Sequence, residues 1–256
     1  MLIGVIFLPG CQDQPRQAQE QPLPAQEVPS PIPTPPLDRD LSRHFKLIQN
    51  GQTGSARVRI RQWLDRHEDD SRGLFLMGLS HHQDKRYARA LDWLQQATQA
   101  QPTYPPAWHF LGWTYFYLGQ TAQSRRSFEH HLQLAPAEGD SHFALGLLDL
   151  ELWRLDEAEV HFNQAIKLQE SQPGRAKGVS KAMARLSEII EIRDRNQERA
   201  TQLLRRSVEL YPDHYEAWYR LWKLLETTAD ESEVEQARLG YFNARDRVRP
   251  RTEFPE

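Results

Sequence analysis

Cysteine is nearly missing from this chain: Cys11 is the single one in 256 residues. A disulfide framework needs pairs and a thiolate zinc site needs several ligands, so neither can be built within one chain. Glycine is scarce at 13 residues, and no phosphate-cradling glycine loop of either common spacing occurs. No apolar run approaches the roughly 20 residues of a membrane-crossing helix, which excludes a polytopic membrane protein. An excess of positive charge is also lacking. The 32 Lys and Arg against 35 Asp and Glu give a formal net charge of -3, with no bulk attraction for phosphate backbones, so nucleic acid is not an expected partner. What is present, 39% hydrophobic and 26% charged residues, suffices for a sizeable core in one or two domains.

The N-terminus has a pattern of its own. Met1 to Gly10 form a short apolar run that ends in a small residue directly before Cys11, the layout of a secretory signal with its processing site. Leu8, Pro9, Gly10 and Cys11 resemble the lipobox of bacterial lipoproteins. That resemblance implies a signal peptide over 1–10, lipid on Cys11, and attachment to a membrane through this anchor. It further implies a bacterial cell-envelope location facing the periplasm, and Gln12 in place of Asp favours the outer over the inner membrane. More than one lipid chain is needed for stable anchoring. Residues 12–37 then hold eight of the 17 prolines and six glutamines, with little to bury. Such a composition predicts a disordered linker over 11–37 that could set a domain up to roughly 80 Å from its anchor.

Beyond the linker the chain repeats itself. Gly78, Gly112 and Gly146 are 34 residues apart, as are Ala90, Ser124 and Ala158, and Leu94, Phe128 and Phe162. Pro102 and Pro136 close the first two of these units. Trp108, Leu111, Gly112 and Tyr115 lie at i, i+3, i+4 and i+7, one face of a helix. Gly112 lets a neighbouring helix approach closely, and each proline ends a second helix because it lacks an N–H and disfavours helical geometry before it. A short helix pair of this kind leaves apolar surface uncovered and depends on stacking with the next. With Gly119, Phe128 and Pro136 in the same order, the middle unit resembles the tetratricopeptide repeat, a helix-turn-helix unit of 34 residues.

The pattern predicts an all-α, right-handed superhelical solenoid of about six such pairs. Complete units are expected at 70–102, 103–136 and 137–170. Degenerate ones are expected at 38–69, where Trp63 stands at a place for a small residue, and at 179–212. A last unit is expected over 213–247, with Trp218 six residues after Pro212 as Trp108 is after Pro102, and a tail over 248–256. Gln169 to Gly178, with Pro173 and Gly174, is expected to form a longer loop.

The first helices carry a second apolar stripe that stacking does not need: His109, Trp113, Phe116 and Tyr117 in the middle unit, Phe75, Leu79 and His82 before it, and Phe143, Leu147 and Leu150 after it. In the tetratricopeptide family these places line the concave groove that receives a peptide or helix, so the resemblance implies a protein partner there. The competing reading is that the linker or tail covers this face, since an aromatic stripe at helical spacing is more often core than site. Roles that the resemblance allows include cell-envelope assembly, pilus secretin assembly and regulation of peptidoglycan enzymes.

Other signals are weaker. Ten histidines include His81-His82 and His130-His131, but adjacent histidines point about 100° apart on a helix and no zinc-hydrolase spacing completes them. No metal, cofactor or small-molecule substrate is expected. No nucleophile motif frames a catalytic serine, and a solenoid is expected to lack an enclosed place where a histidine is strongly desolvated, so enzyme activity is not expected. Two alternatives stand beside the anchored scaffold: a soluble cytoplasmic tetratricopeptide adaptor, and a non-catalytic accessory subunit of a membrane enzyme. Carboxylate-clamp adaptors of this family use Lys and Asn where this groove has aromatic and aliphatic residues, which counts against the first.

Overall fold

A computed structural model describes residues 36–249. The expectations for the signal peptide, for Cys11, for the linker up to Pro35 and for the tail beyond Arg249 fall outside these residues. The described chain is all helical, with twelve α-helices and no strand. They form six antiparallel pairs: α1 (Arg39–Gln49) with α2 (Thr53–Leu64), α3 (Ser71–Gln83) with α4 (Tyr87–Ala100), and α5 (Pro105–Tyr117) with α6 (Thr121–Leu134). Then come α7 (Gly139–Glu151) with α8 (Leu155–Gln169), α9 (Ala176–Ile189) with α10 (Gln197–Leu210), and α11 (Tyr215–Leu225) with α12 (Glu231–Val248). Each pair packs on the next, which makes a solenoid of the six expected pairs.

Within the second, third and fourth pairs the two helices touch at a glycine. A Cβ added at Gly78 would lie 2.6 Å from the Leu94 side chain, one at Gly112 2.8 Å from the Phe128 ring, and one at Gly146 2.7 Å from Phe162. Leu94, Phe128 and Phe162 are fully buried. The pair therefore closes on a large side chain seated where the facing helix has none, and any β-carbon there would push the helices apart.

The turn inside each of the first four pairs is also fixed. Gly51 (φ 75°), Lys85 (58°), Gly119 (71°) and Trp153 (57°) all adopt the left-handed conformation, and they too are 34 residues apart. After each, the next N–H reaches back five residues: Gln52 to Leu47, Arg86 to His81, Gln120 to Tyr115 and Arg154 to Asp149, every bond 2.9 Å. This is the Schellman closure of a helix end, which glycine adopts without steric cost and other residues do not.

Between pairs, Trp108 Nε1 donates to the Pro102 carbonyl at 2.7 Å and Trp218 Nε1 to the Pro212 carbonyl at 3.0 Å. The six-residue spacing is thus the reach of an indole from the first helix back to the loop that ended the previous one. Trp63 is half-buried and donates to Asp70 at 3.0 Å, so the large residue in the first unit is held by its polar edge.

The fifth pair departs from the period. Its connector is residues 170–175, and α9 starts at Ala176, so Gly178 lies in the first helical turn and not in the expected loop. The cause is Gln169, 3% exposed, whose side chain fills the space that Gly139 and Gly178 leave open, 2.6 Å from where each Cβ would be. Its amide donates to Asp140 at 2.8 Å, and Arg175 bonds the other oxygen of that carboxylate at 2.9 Å. After α9, Ile190–Asp194 continue as a π-helical turn to Arg195, again left-handed at φ 51°. In the sixth pair Arg245 lies over the Phe242 ring at 4.8 Å and over the Tyr241 ring at 5.6 Å.

Since the left-handed turn costs a residue with a Cβ about 1–2 kcal/mol, of which the greater freedom of unfolded glycine takes back part, Lys85→Gly is expected to raise the unfolding free energy by up to about 1 kcal/mol. Gly119→Ala is expected to lower it by about the same amount, both read by urea denaturation.

Candidate functional site

The first helices of successive pairs lie side by side, α3 against α5 and α9 against α11, and their inner faces form the concave wall of the solenoid. A groove of about 600 Å³ opens along this wall over its C-terminal half. Trp113, Phe116 and Tyr117 come to it from α5, and Phe143 and Leu147 from α7. Lys181, Ala184 and Arg185 come from α9, Tyr215, Tyr219 and Arg220 from α11, and Tyr241 from α12.

The aromatic part is built before any ligand arrives. Trp113 packs edge-on against Phe116 at 5.5 Å and against buried Phe128 at 5.3 Å, and stacks on Tyr117 at 6.1 Å. Across the groove Tyr219 meets Tyr241 at 5.6 Å and Trp222 at 6.0 Å. Tyr117 and Tyr219 keep 52% and 45% of their surface exposed, so these two phenols are free to meet a ligand. The polar part is partly neutralised in place. Arg220 bonds Glu188 at 3.1 Å and Glu191 at 2.9 Å, and Arg185 bonds Glu188 at 3.0 Å. Lys181 stands exposed near Glu216, without an ion pair among the described residues. The surface suits an apolar or aromatic side chain with polar groups at its margin.

Five of the ten residues expected on the second stripe line this groove: Trp113, Phe116, Tyr117, Phe143 and Leu147. The other five do not. Phe75 is buried, edge-on to Tyr104 at 5.5 Å and 5.7 Å from Phe110, and Leu79 is buried in the same core cluster. Leu150 packs on the core of the fourth and fifth pairs. His82 and His109 sit in the seams between pairs, with Nδ1 of His82 3.0 Å from Thr114 Oγ1 and Nδ1 of His109 3.4 Å from Ser141 Oγ. The N-terminal half of the wall is therefore covered by the protein's own pairs. Tyr219 was within reach of the sequence: it follows Trp218 as His109 follows Trp108, which continues the register of Phe75, His109 and Phe143. Tyr241, on a second helix, and Lys181, on the α9 that departs from the period, carry no such signal.

The expectation that a solenoid lacks strongly desolvated histidines does not hold. Burial pushes His131 down to about 3, and His82, His109, His142 and His214 down to about 4. Each is held by a neighbour: His131 by Ser141 at 2.8 Å, His214 by Ser180 at 2.8 Å, and His142 by His161 at 3.2 Å. His82, His109, His131 and His214 sit where one pair meets the next, His142 meets His161 within the fourth pair, and His214 also lines the groove.

The repeating unit defines the class of protein. Residues 47–105 match one family model of the tetratricopeptide repeat and residues 105–138 match another. The fold is thus an all-helical solenoid of tetratricopeptide type, and similar solved structures share it. PilF of Pseudomonas aeruginosa is 14% identical with a TM-score of 0.68, over 83% of this chain and 91% of that one. YrrB, described as a TPR protein with an unusual peptide-binding site, is 16% identical with a TM-score of 0.52, over 75% and 93%. TTC0263, a thermophilic TPR protein of Thermus thermophilus, is 17% identical with a TM-score of 0.56, over 73% and 97%. No curated protein matches the chain in sequence.

The histidines set the acid response. Their folded values lie below the ordinary 6.5, so the unfolded chain binds more protons as pH falls from about 6.5 towards 4. The stability they contribute is whole above about pH 6.5 and is lost as pH falls towards their folded values. The urea midpoint is expected to drop between about pH 7 and 5, and a His131→Gln, His214→Gln chain is expected to show a shallower drop.

Proposed function

We propose that this protein is a non-catalytic scaffold that presents the aromatic groove to a protein partner of the cell envelope, taking an apolar or aromatic segment of that partner as a peptide or helix. The carrying observation is the groove itself: a preformed aromatic wall with Tyr117 and Tyr219 exposed on opposite sides and cations at the margin. Aromatic residues in such places dominate binding energy where a partner is taken up. YrrB, a TPR protein with an unusual peptide-binding site, is consistent with this use of the fold. The lipobox-like residues Leu8 to Cys11 and the proline-rich stretch after them support attachment to a membrane through lipid on Cys11, with the solenoid held off the surface in the periplasm.

Trp113 rests on buried Phe128, so its loss would disturb the core, and the exposed phenols are better probes. In crosslinked pull-downs from native membranes, the double variant Tyr117→Ser, Tyr219→Ser is expected to recover the partner at least about fivefold less than wild type at unchanged stability. Equal recovery would remove the groove from the account. Cell fractionation tests the anchor: wild type is expected with the membrane and Cys11→Ser in the soluble fraction. If both are soluble the anchored reading is wrong, and the cytoplasmic adaptor takes its place.

A further inference from the structure

The two ends of the described chain stand differently to the groove. At the N-terminal end Leu37 packs on the core of the N-terminal pairs, Ser42 donates to its carbonyl at 3.2 Å, and Arg72 donates to the Pro36 carbonyl at 3.4 Å. The linker therefore joins the stack beside the half of the wall that is already closed. At the C-terminal end α12 borders the open half. Tyr241 lines the groove, and two turns on Arg249 places its guanidinium over the ring of Tyr215, another lining residue, at 5.3 Å. Arg247 fixes this end of the helix: it donates to Asp213 at 2.6 Å and to the Pro212 carbonyl at 3.3 Å, both in the loop before α11. The described residues thus end at the rim of the groove.

The residues that follow, Pro250 to Glu256, have the chemistry that the groove takes. Phe254 is the one large apolar side chain among them, between Glu253 and Pro255. Pro250 and Pro255 lack N–H donors and disfavour helix in the residues before them, which suits an extended segment laid on side chains. From Arg249 to Phe254 an extended chain spans roughly 16–18 Å. Neighbouring helices pack about 8–10 Å apart, so this span passes α9 and reaches the Phe143 and Leu147 side chains of α7. Arg185 and Arg220 are held by Glu188 and Glu191, which leaves Lys181 as the cation open to Glu253. With Glu216 also lining the groove, Lys181, Arg185 and Arg220 are balanced by as many acids, so apolar contact and not net attraction holds such a segment.

We propose that Pro250 to Glu256 is an intramolecular ligand of the groove, with Phe254 seated against Trp113, Phe143 and Leu147 and Glu253 at Lys181, and that a partner must displace it. This rests on the reading of the groove as the partner site and adds its regulation. A tethered segment acts at an effective concentration of about 1 mM, so an intrinsic dissociation constant of about 100 µM weakens any competitor about tenfold.

The test is fluorescence anisotropy of a labelled synthetic peptide of residues 249–256, added to the full chain and to its Phe254→Ser variant, which lies outside the packed pairs. The variant is expected to bind the peptide about tenfold more tightly than wild type, whose own segment already fills the site. Adding Lys181→Glu to Phe254→Ser is expected to weaken the peptide at least about threefold, and adding Tyr117→Ser, Tyr219→Ser to do the same. Equal affinity for wild type and Phe254→Ser overturns the proposal, as does absence of binding to both, or binding that the Lys181 and tyrosine substitutions leave unchanged. The two readings of the groove fail separately. Unchanged recovery of the partner by Tyr117→Ser, Tyr219→Ser with loss of peptide binding ends the partner reading and leaves the segment as the groove's ligand. Loss of the partner in that variant, with no peptide binding to any chain, ends this one alone.

Discussion

The contact on which the structure depends is the seating of one large side chain against one glycine, made in four of the six helix pairs. Leu94 on Gly78, Phe128 on Gly112 and Phe162 on Gly146 set how closely two helices lie, and that spacing is inherited by every pair stacked above. The last pair obeys the same constraint with the partners exchanged. Gly240 is on the second helix and Trp218 on the first, with the indole 2.5 Å from where a Cβ would be. Exchanging knob and hole moves the second helix along its axis, which is why Ala237, Tyr241 and Ala244 come about three residues later than the period requires. A uniform spacing of pairs is also what lines up the first helices, so the groove follows from the glycine contact and not from any single groove residue.

Much of this was legible in sequence because the same contact is solved by the same residue types three times over. Gly78, Gly112 and Gly146 with Leu94, Phe128 and Phe162 give a period that needs no alignment. The turn gives no such signal although it repeats as strictly, because Lys85 and Trp153 stand where glycine would announce a left-handed residue. Backbone hydrogen bonds hold those turns, and they are blind to side-chain type. The groove was half legible for a different reason. Period and helical spacing name the stripe that faces inward, but curvature decides which part of it stays open. Phe75 and Leu79 are on the stripe and are covered, since Tyr104 and Phe110 close over them. Phe143 and Leu147 face the groove beside the fifth pair, where the first arm is lengthened by a π-helical turn.

Apolar stacking alone would let neighbouring pairs slide by a turn, because one leucine fits another's place with little loss. Polar contacts across the seams remove that freedom. His82 meets Thr114 between the second and third pairs, His131 meets Ser141 between the third and fourth, and His214 meets Ser180 between the fifth and sixth. Each is a buried group whose partner is lost on sliding, and an unpaired buried donor or acceptor costs about 1–3 kcal/mol. Neutral imidazole suits this use because it both donates and accepts, and burial keeps it neutral. The abundance of histidine in a chain without a metal spacing thus has a structural cause, and it ties the register of the stack to pH.

Register matters because the groove is assembled from five helices in four pairs. Tyr117 and Tyr219 lie 102 residues apart in sequence and face one cavity only if each intervening seam keeps its place. A slip at the Ser141 or Ser180 seam would move one aromatic wall past the other by a helical turn, about 5.4 Å, as far as one side chain's width. The groove therefore exists only while the whole C-terminal half is in register. Acid acts on it through the seam histidines.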